Sequence, residues 1–293
     1  MSKIQIITDS ACDISMEQEK ELGIEVLPFK IAMGDKSYVS RVDFDNEQFY
    51  RMMEEFDGIP ATSQITPYEF ELLYNKKYEE GYTDIVLILI NSEGSATYSN
   101  AVMAKNQFYD EHPEAEEKLR IHTFDGKSYN AGYGWAVLGA AKMVQEGKTM
   151  EEIIPYIEDQ LSKKKIYFGM YSLKYAAKSG RIPSAAAFVG EAIGLKPIMM
   201  LWDHEIVTAN KVRGEKKLMT TMVNMVADDI EENAPYGVLY GDDKSLADEI
   251  TEKLTEKLGY PPEQYYQVGA AVAVNAGARV VGVVFDSKDR TSK

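Results

Sequence analysis

The side chains with chemistry to offer stand where apolar runs end. Thr62-Ser63-Gln64 lies just ahead of Thr66-Pro67-Tyr68-Glu69, a capping-box pattern with proline at the first helical position. Thr66 and Glu69 are thereby accounted for. Thr62, Ser63 and Gln64, in the turn before the helix, are neutral hydrogen-bonding groups with no local duty. Thr8-Asp9-Ser10 closes the run IQIIT (4–8) at what would be the carboxyl edge of a sheet. Open α/β sheets bind their ligands at that edge. The alternative is that Asp9 and Ser10 only organise the turn. Asn91-Ser92-Glu93-Gly94-Ser95-Ala96-Thr97-Tyr98 follows the most apolar run of the chain, DIVLILI (84–90). Ser95 or Thr97 would cap the next helix, whose N-terminus offers free amides to an anion. Capping explains one hydroxyl and leaves three polar groups for turn-making or binding.

Catalytic equipment is sparse. His112, His122 and His204 show no metal-ligand spacing with one another or with a cysteine. The chain has no G-x-S-x-G, no P-loop and no G-x-G-x-x-G after the first strand. Gly132-x-Gly134 runs into Trp135-Ala136, and its small residues read as close helix–sheet packing. Cys12, the one cysteine, has nothing in sequence to lower its pKa and reads as a small filler. We expect no catalytic residue, no metal and no cofactor.

A net charge of -15 and a pI of about 4.8 disfavour nucleic acid and anionic membrane as partners. No apolar run approaches the ~20 residues that span a bilayer, and MSKIQIITDS lacks the features of a signal peptide. With no internal disulfide possible, the expected location is cytoplasmic, without stable membrane insertion.

The elements that must position these residues follow from periodicity and caps. In the first half, strands are expected over 4–8, 24–33 (edge or interrupted, because of Pro28), 84–90 and 120–124. Helices are expected from Ser15 to Gly23 and over 46–55 behind Asp45, 67–80, 97–110 and 130–145. This βαβα rhythm predicts a parallel sheet flanked by helices. The second half begins with a helix over 147–165 and a strand over 166–172. A small-residue helix follows within 179–194, where Ala185, Ala186 and Ala187 serve either close packing or a cavity wall. Residues 197–202 and 205–212 form a hairpin around Asp203-His204. A helix over 214–232, a strand over 236–241, a helix over 245–258 and strands over 264–274 and 279–285 complete it. Lys163-Lys164-Lys165 reads as a solvated helix end. Arg213, Lys216 and Lys217 form either a helix flank or a docking patch.

TDSACDIS, ATSQITPYEF and SGRIPSAAAFVGEAIGLKPIM, in that order and at that spacing, resemble the motifs of the DegV family. That family comprises bacterial fatty-acid-binding proteins that serve fatty-acid kinase, and the resemblance covers essentially the whole chain. It implies two α/β domains, 1–160 with a parallel sheet and 161–293 with a mixed sheet, and a ligand between them. By the same resemblance Thr62, with Ser63 beside it, and Ser95 hold the carboxylate. Asn275 stands where the family has histidine, and can donate a hydrogen bond but carry no charge. Arg213 matches a basic position in the family's A-R segment and is the candidate for the kinase-docking surface. Glu93 and Arg279 depart from the family pattern.

The function implied is non-covalent binding of a long-chain fatty acid and presentation of its carboxylate to a partner kinase. Fourteen buried methylenes at roughly 0.8 kcal/mol each supply about 11 kcal/mol gross, partly offset by association and ordering. The carboxylate needs partners, since an unpaired buried charge is prohibitive. The alternatives are a lipid carrier or sensor without a kinase, and an α/β enzyme acting on a small polar carbonyl or phosphate ligand.

Overall fold

The computed structural model describes residues 2–182 and 194–288. The first half runs β1 (Ile4–Asp9), α1 (Met16–Leu22), β2 (Glu25–Leu27), β3 (Lys30–Met33), β4 (Lys36–Val39) and α2 (Asn46–Glu55). It continues through β5 (Ala61–Ser63), α3 (Pro67–Glu79), β6 (Asp84–Leu89), α4 (Thr97–Glu111), β7 (Arg120–Asp125), α5 (Ala131–Gln145) and α6 (Met150–Lys163). The capping boxes at Ser15, Asp45 and Thr66 all form, and Gly23 ends α1 in the left-handed conformation. β2-β1-β6-β7 make a parallel sheet. Alternation splits its residues between two cores, as expected of a sheet covered on both faces. Ile6, Val86 and Ile88 face α5, while Ile7, Ile85 and Leu87 pack with Phe70, Tyr74 and Phe108 of α3 and α4.

The run 24–33 is not one strand. Pro28 supplies no donor, and the Phe29 amide leaves the ladder to donate to Ser10 Oγ at 2.9 Å. β2 therefore stays at the edge of the parallel sheet, while β3 starts a second, antiparallel sheet ordered β4-β3-β5. The expected turn over Thr62 and Ser63 is β5 of that sheet.

The second half runs β8 (Lys164–Met170), α7 (Lys174–Ser179), β9 (Leu195–Trp202), β10 (Glu205–Arg213) and α8 (Glu215–Asp229). It ends with β11 (Tyr236–Tyr240), α9 (Lys244–Leu258), β12 (Gln264–Gln267), α10 (Ala270–Ala276) and β13 (Val280–Asp286). The sheet β10-β9-β8-β13-β11-β12 is mixed: β11 and β12 are parallel and the other pairs antiparallel. One face packs on α8 and α9; the other joins the core shared with α5 and α6. Most of the small-residue segment, including Ala185, Ala186 and Ala187, lies outside the described residues.

Two further expectations are corrected. The strand predicted over 264–274 stops at Gln267, and Ala270–Ala276 is helical, alanine propensity prevailing over the alternating valines. Lys164 and Lys165 are buried, not solvated. Lys164 pairs with Asp286, its cross-strand neighbour on β13, and Lys165 Nζ meets Asp229 Oδ2 at 2.9 Å. The small residues of α5 do permit close approach, since a Cβ on Gly134 would lie 2.3 Å from the Cys12 carbonyl oxygen.

Candidate functional site

A cavity of ≈ 410 Å³ is bounded by residues of both halves. Its floor is the inner face of the mixed sheet. Phe168, Gly282 and Leu239 form one cross-strand row over β8, β13 and β11, and Ile166 and Leu201 form another over β8 and β9. Gly282 leaves a gap between two large side chains. Ala271 and Val272 of α10, with Phe29, Ile90 and Val268, add further apolar walls.

The polar wall comes from the carboxyl edge of the parallel sheet and from β5. Alternation along β5 separates neighbours: Thr62 lines the cavity, while Ser63 is not among the lining residues. Gln64 lines it as well. This segment is fixed to the start of α4: the Ile65 amide donates to Thr97 Oγ1 (3.3 Å), and Asn100 Nδ2 donates to the Ile65 carbonyl (2.8 Å). Ser95 also lines the cavity, its Oγ 2.9 Å from Thr97 Oγ1 and accepting from the Thr97 amide at 3.3 Å. The N-cap residue of α4 is Ala96, not Ser95 or Thr97, and no side chain caps there. Gly94, Ala96 and Ser99 share the lining, so the amino end of α4 faces the cavity. Asn275 contributes from α10; its Nδ2 donates to the Ala271 carbonyl at 3.2 Å. Thr62, Ser95 and Asn275 thus share one cavity. Arg213, exposed at the end of β10, lies outside its lining.

Residue-by-residue reading did not single out two lining groups. Arg181 is a cation with no carboxylate in salt-bridge range among the described residues. Tyr129 has its phenol pKa raised by burial, opposed by the Arg181 charge. A Cβ on Gly94 would fall 1.9 Å from Tyr129 Oη, so any larger residue there would have to displace the phenol. The signal for Arg181 was present in the SGRIP segment; the packing of Tyr129 against Gly94 is a long-range contact.

The motif Thr8-Asp9-Ser10 is structural. Thr8 Oγ1 donates to the Ile88 carbonyl at 2.8 Å. Asp9 accepts from the amides of Ala11 (3.0 Å) and Ile90 (2.7 Å) and from Tyr133 Oη (2.6 Å). Burial nevertheless raises the Asp9 pKa to about 6. Cys12 is fully buried, its thiol pushed up to about 12 chiefly by desolvation, which suits a filler. His204, in the β9–β10 turn, contacts Asn91 Oδ1 through Nδ1 at 2.7 Å, while Asn91 Nδ2 donates to the His204 carbonyl at 2.9 Å. That turn is thereby fastened beside the cavity. His122 meets Asp84 and His112 packs on Phe108, both away from it. Among the described residues no group of His, Cys, Asp and Glu could hold a metal ion, and no helix is long and apolar enough to cross a membrane.

Fold and cavity together define an α/β protein of three sheets with an interior that is apolar on one wall and rich in hydroxyl and amide groups on another. The chain belongs to the DegV family: the family model described as "Uncharacterised protein, DegV family" matches residues 3–288. It is 30% identical over 291 residues to a DegV domain-containing protein of Caldanaerobacter subterraneus subsp. tengcongensis, covering 98% of this chain and 100% of the relative. A DegV domain-containing protein of Clostridium acetobutylicum is 32% identical over 289 residues, covering 97% and 99%. Among solved structures, a stearic acid-binding protein from Eubacterium ventriosum superposes with TM-score 0.85 at 23% identity, covering 97% of this chain and 98% of that one. A fatty-acid-binding DegV family protein from Thermus thermophilus superposes with TM-score 0.84 at 24% identity, covering 97% and 99%.

Proposed function

We propose that this chain binds a long-chain fatty acid non-covalently in the cavity and presents its carboxylate to a partner fatty-acid kinase. The observation that carries the reading is the division of the lining: a continuous apolar floor on the mixed sheet, and on the opposite wall neutral donors with two charged groups, Glu93 and Arg181, the latter without a carboxylate partner among the described residues. An acyl chain gains from burial on the first, and its carboxylate requires the second. Thr62 and Ser95 donate hydroxyl hydrogens, Asn275 offers its amide, and the amino end of α4 adds a favourable dipole. Arg181 supplies the positive charge that Asn275 lacks. What the Eubacterium and Thermus proteins bind supports the acyl ligand by family kinship.

The division into 1–160 and 161–293, with the ligand between, belongs to this proposal. So does a cytoplasmic location, where a kinase would bring ATP and magnesium. No cofactor is assigned to this chain. The departures at Asn275 and Arg279 favour a second reading, a lipid carrier without a kinase. Arg279 is engaged with Glu215 and Asp243 and lies over the Tyr171 ring.

The deciding experiment is native mass spectrometry of the purified protein, then solvent extraction and identification of what is released. A fatty acid at near one-to-one is expected. Thr62→Val and Ser95→Ala should each weaken rebinding about fivefold, the value of a neutral hydrogen bond. An empty protein that ignores added fatty acid, or unchanged affinity in both variants, would overturn the reading.

A further inference from the structure

Asp13 takes no part in the cavity lining, yet it joins two segments that do. Its Oδ2 accepts from Asn130 Nδ2 at 2.6 Å, and its Oδ1 accepts from the Gly269 amide at 2.9 Å. Asn130 lines the cavity where the parallel sheet gives way to α5. Gly269 is the N-cap residue of α10, whose Ala271, Val272, Asn275 and Ala276 line the same cavity. One carboxylate therefore spans from the first half of the chain to the helix that carries Asn275, across 256 positions of sequence.

The backbone at both ends of the nearer bond is held against its preference. Asp13 has φ 55° and Asn130 φ 52° with ψ -136°, conformations that non-glycine residues adopt only when their surroundings compel it. The Asn130 backbone amide is committed to the Ala11 carbonyl at 2.9 Å, which ties this residue to the segment that carries Asp13. Tyr50 of α2 holds the adjoining Val268 carbonyl through its hydroxyl. The start of α10 is thus gripped from two elements of the first half.

We infer that Asp13 is a positioning residue for the ligand site: its carboxylate sets the placement of α10, and hence of Asn275, relative to Asn130 and the polar wall. This rests on the proposed binding reading. A buried carboxylate is suited to the task because it accepts from two donors at once in fixed directions. The groups facing it are Asp9 on β1, Cys12 beside it, Arg41 after β4, Asn46 and Tyr50 on α2, and Asn130 and Tyr133 at α5. Arg41 is shared with Glu19 (2.6 Å) and the Ile14 carbonyl (2.7 Å), so Asp13 does not hold a dedicated counter-ion. Burial, outweighing the hydrogen bonds from Asn130 and Gly269, raises the Asp13 pKa to about 7. Protonation on acidification would remove an acceptor from one of its two donors and loosen the bridge.

The test compares the full-length wild type with Asp13→Asn and with the exchange pair Asp13→Asn plus Asn130→Asp, using fluorescent cis-parinaric acid as the probe. Asp13→Asn sets two NH2 groups against each other and should weaken binding about tenfold, the loss of one charge-assisted hydrogen bond. The exchange pair restores a donor facing an acceptor and should recover most of that affinity. Wild-type affinity should fall on going below about pH 7, and the fall should be smaller in Asp13→Asn, where only Asp9 and the probe's own carboxyl titrate. Hydrogen exchange at amides 269–276 is followed in parallel without ligand. It should accelerate in Asp13→Asn and slow again in the exchange pair. Unchanged exchange and affinity in Asp13→Asn would overturn the inference, as would a loss that the folded exchange pair does not recover. Should the wild type bind no fatty acid at all, the ligand reading fails by itself, and the exchange data still decide whether Asp13 places α10.

Discussion

Asp9 and Asp13 are carboxyls whose burial is incompletely offset, with pKa values raised from 3.8 to about 6 and about 7. In the unfolded chain both ionise near 3.8, while in the folded chain they keep their protons to higher pH. Between those limits the folded state binds more protons, so their contribution to stability falls as pH rises and levels off above about 7. This is opposite to Glu69, whose pKa is lowered by Lys30 and the Thr66 cap despite partial burial. Urea unfolding of wild type and Asp13→Asn at a series of pH values isolates the effect. The wild type should lose stability relative to the variant as pH rises from about 4 to about 7. A relative gain over that range would mean the Asp13 pKa is not raised. Individual residues are also where reading the sequence reached least far. Thr62 and Ser95 were legible through their motifs, but the separation of Thr62 from Ser63 required β5 to be seen as a strand. Three residues between a helix end and a capping box carry no periodicity of their own.

At the scale of elements, local signals were strong wherever caps and apolar runs coincide. Ser15, Asp45 and Thr66 each fix a helix start, and DIVLILI is buried throughout β6. The failures came from long-range partners. Lys164 and Lys165 face inward only because Asp286 and Asp229 await them, and α10 is helical behind Gly269, whose amide Asp13 accepts. On the proposed reading, the row Phe168–Gly282–Leu239 would set the length of the acyl chain that the cavity takes. Gly282 opens the floor between its two neighbours, and a Cβ there would meet the Tyr167 carbonyl oxygen at 2.9 Å, so the gap cannot be filled from β13 without strain. It can be filled from β11. Leu239→Phe should push a ring into the gap and shift the extracted fatty acids toward shorter chains, with unfolding changed by about 1–3 kcal/mol at most. An unaltered chain-length profile in a folded Leu239→Phe protein would remove this row from the acyl path.

On the proposed reading, holding the ligand and meeting a partner are separable tasks of the whole molecule. The chain carries -15 net charge, yet Arg213, Lys216 and Lys217 are exposed together where β10 passes into α8. None of the three lines the cavity. A basic patch on an acidic protein acts mainly on encounter and orientation with an acidic surface, and its effect weakens with salt. If this patch receives the kinase, Arg213→Glu should leave the extracted lipid unchanged and reduce acyl-phosphate formation with the cognate kinase by tenfold or more, in keeping with reversal of a docking charge. The defect should appear mainly as slower association, greatest at low ionic strength. Loss of lipid together with turnover would tie Arg213 to the cavity and sink the docking role. Full turnover with full lipid would move docking to another surface, and the departures at Asn275 and Arg279 would then have to be tested against the carrier reading by asking whether any kinase accepts the bound acid.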